Sequence, residues 1–416
     1  MPVIESAAPA ARRALAKGAL PLALIAAAPT PAGAATQAFV RVDQVGYAAA
    51  SPKRAYLMSS APEPGASFAV RRVSDGAVAF SGAVGAPIGA WSAGFPDVYA
   101  LDFDPLSAAG SYVLEVSGPV PTGSPAFTID TPANLYAQPL ANALAFYQNE
   151  RDGPQYIPSA LRTAPAHLND ASAETYLTPK TRPGGGFRRD LAPLGARIDA
   201  SGGWWDAGDY LKFVQTTSYA VDLLLAGVRD FPAQMGASAG ASDFTAEAKF
   251  GVEWLLRMWD DGTRTLYYQV GIGSGNRDIA GDHDIWRLPQ SDDSYGATDP
   301  LYRYIRNRPV FRAGPPGSPL SPNLAGRDAA AFALCYQVYR LSDASLAERC
   351  LFAAEHVFEL ANLHPKRRLL TALPFSFYPE RQWRDDLELG ATELADALSA
   401  GPVPGGLPHA AREQRR

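Results

Sequence analysis

Apolar and polar residues alternate with a two-residue period early in the chain and with a helical period later on. Between Phe39 and Ile129, β-rich runs recur at Phe39–Val42, Arg54–Met58, Phe68–Arg72, Val98–Phe103, Tyr112–Val116 and Ala126–Ile129. Turn signals separate them, including Ser74-Asp-Gly76, Ala109-Gly110 and Ser117-Gly-Pro119. Strict alternation sends every second side chain to one face, so six short strands at this spacing predict a small antiparallel β-sandwich over 35–130.

Past the Thr131-Pro132 break the period lengthens. Asn134 is a candidate cap for a first helix over Leu135–Glu150. From Leu211 the pattern Phe213, Val214, Ala220, Val221, Leu224, Leu225, Val228 predicts a buried helix. The spacing of Phe244, Ala248, Gly251, Val252, Leu255 and Trp259 predicts another over 243–259. A dense Ala-Phe-Ala face marks 324–340, and Asp343 caps a helix over 343–361. A last one begins near Asp385 and runs through Leu387, Leu394 and Ala395. Helices joined by long irregular loops, without strand–helix alternation, predict an all-α second domain over 135–396.

The two ends read differently. Arg12, Arg13 and Lys17 precede an apolar run over residues 18–28, followed by Ala32-Gly-Ala34. That is the layout of an export signal over 1–34, although an Ala-rich disordered leader has the same composition. The run is shorter than the ~20 residues a membrane span needs, so the expectation is a secreted, extracellular and monomeric protein starting near Ala35. At the other end, residues 397–416 form a Pro/Gly-then-Arg stretch without apolar period. It reads as a disordered, out-of-frame tail on a truncated domain.

Composition narrows the function. Of 416 residues 47% are hydrophobic, enough for two cores, and the net charge of −5 comes without a basic stripe. Nucleic acid is therefore excluded as an expected partner, as is a membrane. Cys335 and Cys350 are the only cysteines and sit on apolar faces of separate predicted helices, where buried free thiols are expected. His167 lacks a neighbouring cysteine, so no zinc site is expected. Ser291-Asp-Asp-Ser294 offers oxygen ligands for calcium but reads as a solvated turn.

The chemistry concentrates in Ser201-Gly-Gly-Trp-Trp-Asp-Ala-Gly-Asp-Tyr-Leu-Lys-Phe-Val214. Asp206 and Asp209 lie three residues apart among glycines and aromatics, just ahead of a predicted helix. The helix dipole would favour an ionised Asp209, which can act as a base toward water. Trp204, Trp205 and Tyr210 offer flat apolar faces of the kind that stack on sugar rings. Asp-x-x-Asp before a helix also serves as a plain cap, but a cap does not need two tryptophans and three glycines.

This stretch strongly resembles the signature of glycoside hydrolase family 9, a family of inverting β-1,4-glucanases. Residues Val40–Tyr47 and Pro52–Ala55 resemble the immunoglobulin-like module that precedes many of its catalytic domains. Gly281-Asp-His-Asp-Ile-Trp286 with Arg287–Pro289, and Phe377–Gly390, are similar to further family segments. The resemblance implies an immunoglobulin-like sandwich followed by an (α/α)6 barrel of six helical hairpins. It makes Asp209 the general base and Asp206 the residue that holds the attacking water. It makes His283 and Trp286 candidate sugar contacts. A β-1,4-glucan is the implied partner, with no required cofactor and calcium as the ion common in the family. In the family the general acid is a Glu in an Asn-Glu segment near the end of the barrel, and this sequence has no such segment. The barrel is thus expected to be incomplete. Two other classes fit the same residues: a non-catalytic β-glucan-binding protein, and an exo-acting β-glucosidase or glucosaminidase.

Overall fold

A computed structural model of the chain describes residues 35–182, 186–236 and 243–401. The leader (1–34) and the tail beyond 401 lie outside the described residues.

The first module is built from β1 (Ala38–Arg41), β2 (Tyr47–Ala48), β3 (Arg54–Ser59), β4 (Ser67–Arg72), β5 (Val78–Ala83), β6 (Asp97–Asp102), β7 (Gly110–Ser117), β8 (Thr122–Gly123) and β9 (Phe127–Asp130). One sheet has the order β1-β3-β6, the other β2-β9-β7-β4-β5 with β8 on β7. All pairings are antiparallel except β2 with β9. Alternation decides the faces: Tyr112, Leu114 and Val116 of β7 point inward and meet Leu57, Tyr99 and Leu101 of the opposite sheet in one core. All six predicted strands are present, with ends shifted by at most two residues. The sequence missed β5, whose small and half-exposed residues carry little apolar signal, and the two-residue β2 and β8.

No linker follows. Thr131, not Asn134, caps α1 (Pro132–Asn149), accepting from the Asn134 amide at 3.4 Å. α1 packs on β2 and β9 and buries only Leu135 and Leu144.

Where the sequence predicted helices alone, the second region also carries a sheet. It is formed by β10 (Ala173–Leu177), β11 (Pro193–Ile198), β12 (Lys212–Phe213), β13 (Trp259–Asp260), β14 (Thr265–Val270) and β15 (Val310–Arg312). The order is β11-β10-β15-β14-β12, with β13 on β14. The strands are two to six residues long and scattered through loops, which is why period counting passed over them. The helices are α2 (Val214–Asp230), α3 (Phe244–Met258), α4 (Arg303–Arg306), α5 (Pro322–Tyr339), α6 (Ala344–Glu359) and α7 (Arg384–Ser399). Asp243 and Asp343 cap α3 and α6 by accepting from the Ala246 and Leu346 amides. α7 runs past residue 397, where the apolar pattern was expected to end.

α5 is the centre of the helical layer, buried along nearly its whole length against α2, α6 and α7. It pairs with α6 across a tight turn, which brings Cys335 and Cys350 face to face with Cα atoms 6.1 Å apart. They form a disulfide, correcting the expectation of free thiols. Spacing alone could not show that the two apolar faces meet.

α2 and α5 also bury Asp222 and Asp328, and none of their four carboxylate oxygens has a hydrogen-bond partner. Burial pushes both carboxyls well above the usual range, and the charge of Asp328 adds to the shift at Asp222. A raised carboxyl pKa means that the native state holds a proton the unfolded chain releases above pH ~4, so stability falls as pH rises from there through the folded pKa. Asp222→Asn and Asp328→Asn are each expected to be more stable than the parent at pH 7. The gain should vanish near pH 3 in urea unfolding followed by circular dichroism.

Candidate functional site

The loop between β11 and α2 delivers the two candidate carboxylates. Its entry requires glycine: Gly203 has φ +75°, and a Cβ there would lie 2.5 Å from the Trp254 ring. The loop exits through β12, so α2 begins at Val214 with Phe213 as its cap. Asp209 therefore stands before a strand and does not cap a helix. Its Oδ1 accepts from the Leu211 amide at 3.0 Å, and its Oδ2 lies 2.7 Å from His283 Nε2.

Asp206 is held from two other elements. Oδ1 accepts from Thr216 Oγ1 of α2 at 2.8 Å, and Oδ2 accepts from the Tyr378 hydroxyl. Burial raises the Asp206 pKa; these two hydrogen bonds oppose the rise and the charge of Asp209 adds to it. The His283 pKa is raised, first by its hydrogen bond to Asp209 and against the pull of burial. Nearby, Glu150 at the end of α1 is pushed up to about 7 by burial; Arg162 opposes the shift and Asp209 adds to it.

Trp204 and Trp205, expected to face sugar, lie in the interior. Trp204 donates to Glu247 at 2.7 Å and packs so closely on α3 that a Cβ at Gly251 would come within 2.3 Å of its ring. Trp205 is sandwiched between the Arg162 guanidinium, 4.2 Å from its ring, and Tyr210, 4.6 Å away. Their role here is packing, since neither ring has an open face. Tyr210 is half-buried, donating to the Arg287 carbonyl at 2.8 Å. His283 and Trp286 sit on the turn around Asp282–Asp284, where Trp286 is 97% exposed.

A buried charge network fixes this arrangement. His167 stands between Asp152 (Nδ1–Oδ1, 2.8 Å) and Asp292 (Nε2–Oδ2, 2.9 Å). Both carboxylates only accept, so both ring nitrogens must carry protons. Burial and Arg308 disfavour the imidazolium, but Asp152 and Asp292 prevail and its pKa is raised. Burial works to raise Asp152, yet Arg308, Lys212 and His167 hold it well below the usual range. Arg287 bridges Asp292 and Asp282; Lys212 and Arg308 both bridge Asp152 and Asp170. Four carboxylates thus face four cations. The network reaches the site through Tyr210: Asp282 accepts its amide at 3.1 Å, and Arg308 donates to its carbonyl.

Sequence reasoning missed these residues. Asp292, read as part of a solvated turn, is fully buried. The partners come from five separated segments; Lys212, Asp282, Arg287, Asp292 and His167 lay in stretches already singled out, but nothing there showed that they meet, and Asp152, Asp170 and Arg308 went unnoticed. Tyr378 was in a noted segment but gave no hint of meeting a carboxylate 172 positions away. Asp209, Asp282 and His283 bring ligand atoms within 4.8 Å of one another and could hold a metal ion. Every one of these groups already has a hydrogen-bond partner within the protein.

Two sequence patterns match the chain: "Glycosyl hydrolase family 9" over residues 136–401 and "Cellulase N-terminal ig-like domain" over 35–120. Among curated relatives, Endoglucanase 19 of Oryza sativa subsp. japonica is 29% identical over 231 residues, 55% of this chain and 36% of that protein. Endoglucanase C of Cellulomonas fimi is 31% identical over 241 residues, 53% of this chain and 21% of that protein. The chain thus spans well under half the length of these relatives. A metagenome-derived glycoside hydrolase family 9 endoglucanase shares the fold with TM-score 0.57 and 24% identity, over 87% of this chain and 63% of that one. A thermostable endoglucanase from Alicyclobacillus acidocaldarius does so with TM-score 0.55 and 21% identity, over 86% and 59%.

Two outcomes follow from this geometry. The His283 imidazole should titrate above ~6.5 by NMR in the parent and return toward that value in Asp209→Asn. Arg308→Met would leave Asp152 and Asp170 short of a buried partner and should cost roughly 3–5 kcal/mol in denaturant unfolding.

Proposed function

The chain belongs to glycosyl hydrolase family 9, and from that premise we propose that it carries the water-activating half of a secreted endo-β-1,4-glucanase acting with inversion on cellulose or a related β-glucan. The single observation behind this reading is the Asp206–Asp209 pair, held by Tyr378, Thr216 and His283 on a loop clamped from below.

In this reading Asp209 takes a proton from a water molecule as that water attacks the anomeric carbon. Asp206 orients the same water, and Tyr378 and Thr216 keep its carboxylate in place. His283 holds Asp209 in the right rotamer, and exposed Trp286 offers a face for a sugar ring. Inversion also needs a protonated carboxyl ~6.5–9.5 Å from the base, to protonate the departing oxygen. We assign that acid to the part of the family domain that this chain does not share with its relatives. The same reading makes the helical layer part of an (α/α)6 toroid. Exposed Phe146, Tyr219 and Leu223 support it, because they mark faces of α1 and α2 that further helices would cover. No cofactor enters the reaction, and any calcium would be structural.

Reducing-end release from carboxymethylcellulose tests the assignment, using this chain and a form extended by the remainder of a family 9 domain. The extended form is expected to act at least 100-fold faster, and Asp209→Asn should lower its rate by 10²–10⁴-fold. Retention of activity within about threefold in Asp209→Asn would remove Asp209 as the base.

A further inference from the structure

The outer face of the β1-β3-β6 sheet carries aromatic surface that the sandwich core does not consume. Alternation turns Val40, Leu57 and Tyr99 inward and Phe39, Arg41 and Tyr56 outward. Register sets Arg41 beside Tyr56 and Phe39 beside Met58. Along the open edge of β6, the segment from Ile88 to Trp91 is bridged at Gly89–Val98 and turned back by hydrogen bonds between Trp91, Ser92 and Phe95. Sheet and segment enclose a groove of about 620 Å³. Trp91 is 73% exposed on its rim, with Ile88 and Tyr56 also open to solvent. The opposite sheet, not this one, packs on α1.

Charge and size select the occupant. Arg41 is the one charged residue lining the groove; it lies over Phe39 at 5.1 Å and has no ion pair among the described residues. A lone guanidinium among neutral, partly aromatic walls suits a hydroxyl-bearing ligand, and one cation is too few to hold a polyanion. The volume falls in the ~300–1,000 Å³ range of small-ligand sites, whereas a second protein would need ~800 Å² of complementary surface. Flat Trp and Tyr faces match the C–H faces of pyranose rings, as Arg41 N–H groups match their hydroxyls.

We propose that this groove is a β-glucan-docking subsite on the immunoglobulin-like module, separate from the Asp209 loop. Only the identity of the sugar rests on the function proposed above; the groove itself stands on its own geometry.

Native electrophoresis of the full chain through gels with and without hydroxyethylcellulose tests it. The parent should be retarded, Trp91→Ala should weaken the apparent affinity at least threefold, and Trp91→Ala with Tyr56→Ala further still. Trp91→Phe should keep most of the retardation. Equal retardation of parent and Trp91→Ala overturns the proposal, as does a parent that is not retarded. A lowered melting temperature in Trp91→Ala with unchanged retardation also overturns it, by marking the patch as a packing surface. Retardation without any sugar release in the extended form would sink the catalytic reading and leave the docking groove standing.

Discussion

Eight charged side chains closed away from water decide the shape of the site. Asp152, Asp170, Asp282 and Asp292 meet Lys212, Arg287, Arg308 and His167 in the interior, and each charge is tolerable there only because its partners are in place. Such a cluster is a poor source of net stability, since desolvation consumes much of the Coulomb gain. Its effect is geometric. It ties segments around residues 152, 167, 210, 287 and 308 to one another, and it grips Tyr210 at both its amide and its carbonyl. The loop with Asp206 and Asp209 cannot shift without breaking an ion pair in a low-dielectric setting.

The aromatic residues complete that clamp. Trp205 lies under Arg162 with Tyr210 tilted against it, and Trp204 sits on α3 through the space that Gly251 leaves. Tryptophans beside a catalytic loop are easily taken for sugar platforms. Here they are the floor on which the loop rests, and His283, Trp286 and the two carboxylates are more exposed than either tryptophan. The helical layer behind this floor is organised around α5, whose disulfide to α6 and buried aspartates beside α2 lie away from the loop.

The N-terminal sandwich and the helical region join without a linker, because Thr131 both ends the last strand's neighbourhood and caps α1. Packing of α1 on β2 and β9 leaves the other sheet facing solvent, and that sheet bears the Trp91 groove. The aspartate loop and the Trp91 groove thus belong to different parts of one chain.

Periodicity by itself determined the sandwich and five of the long helices, and local sequence the cap at Asp343, since those depend on residues within a turn or a strand of one another. The glycine–tryptophan–aspartate loop was legible for the same reason: its meaning lies in contiguous residues. Tertiary structure alone decided which tryptophans are buried, that Cys335 meets Cys350, that Asp292 is an interior ion and that Tyr378 reaches Asp206. Each of those facts joins positions far apart in the chain, and burial is a property of what arrives from elsewhere.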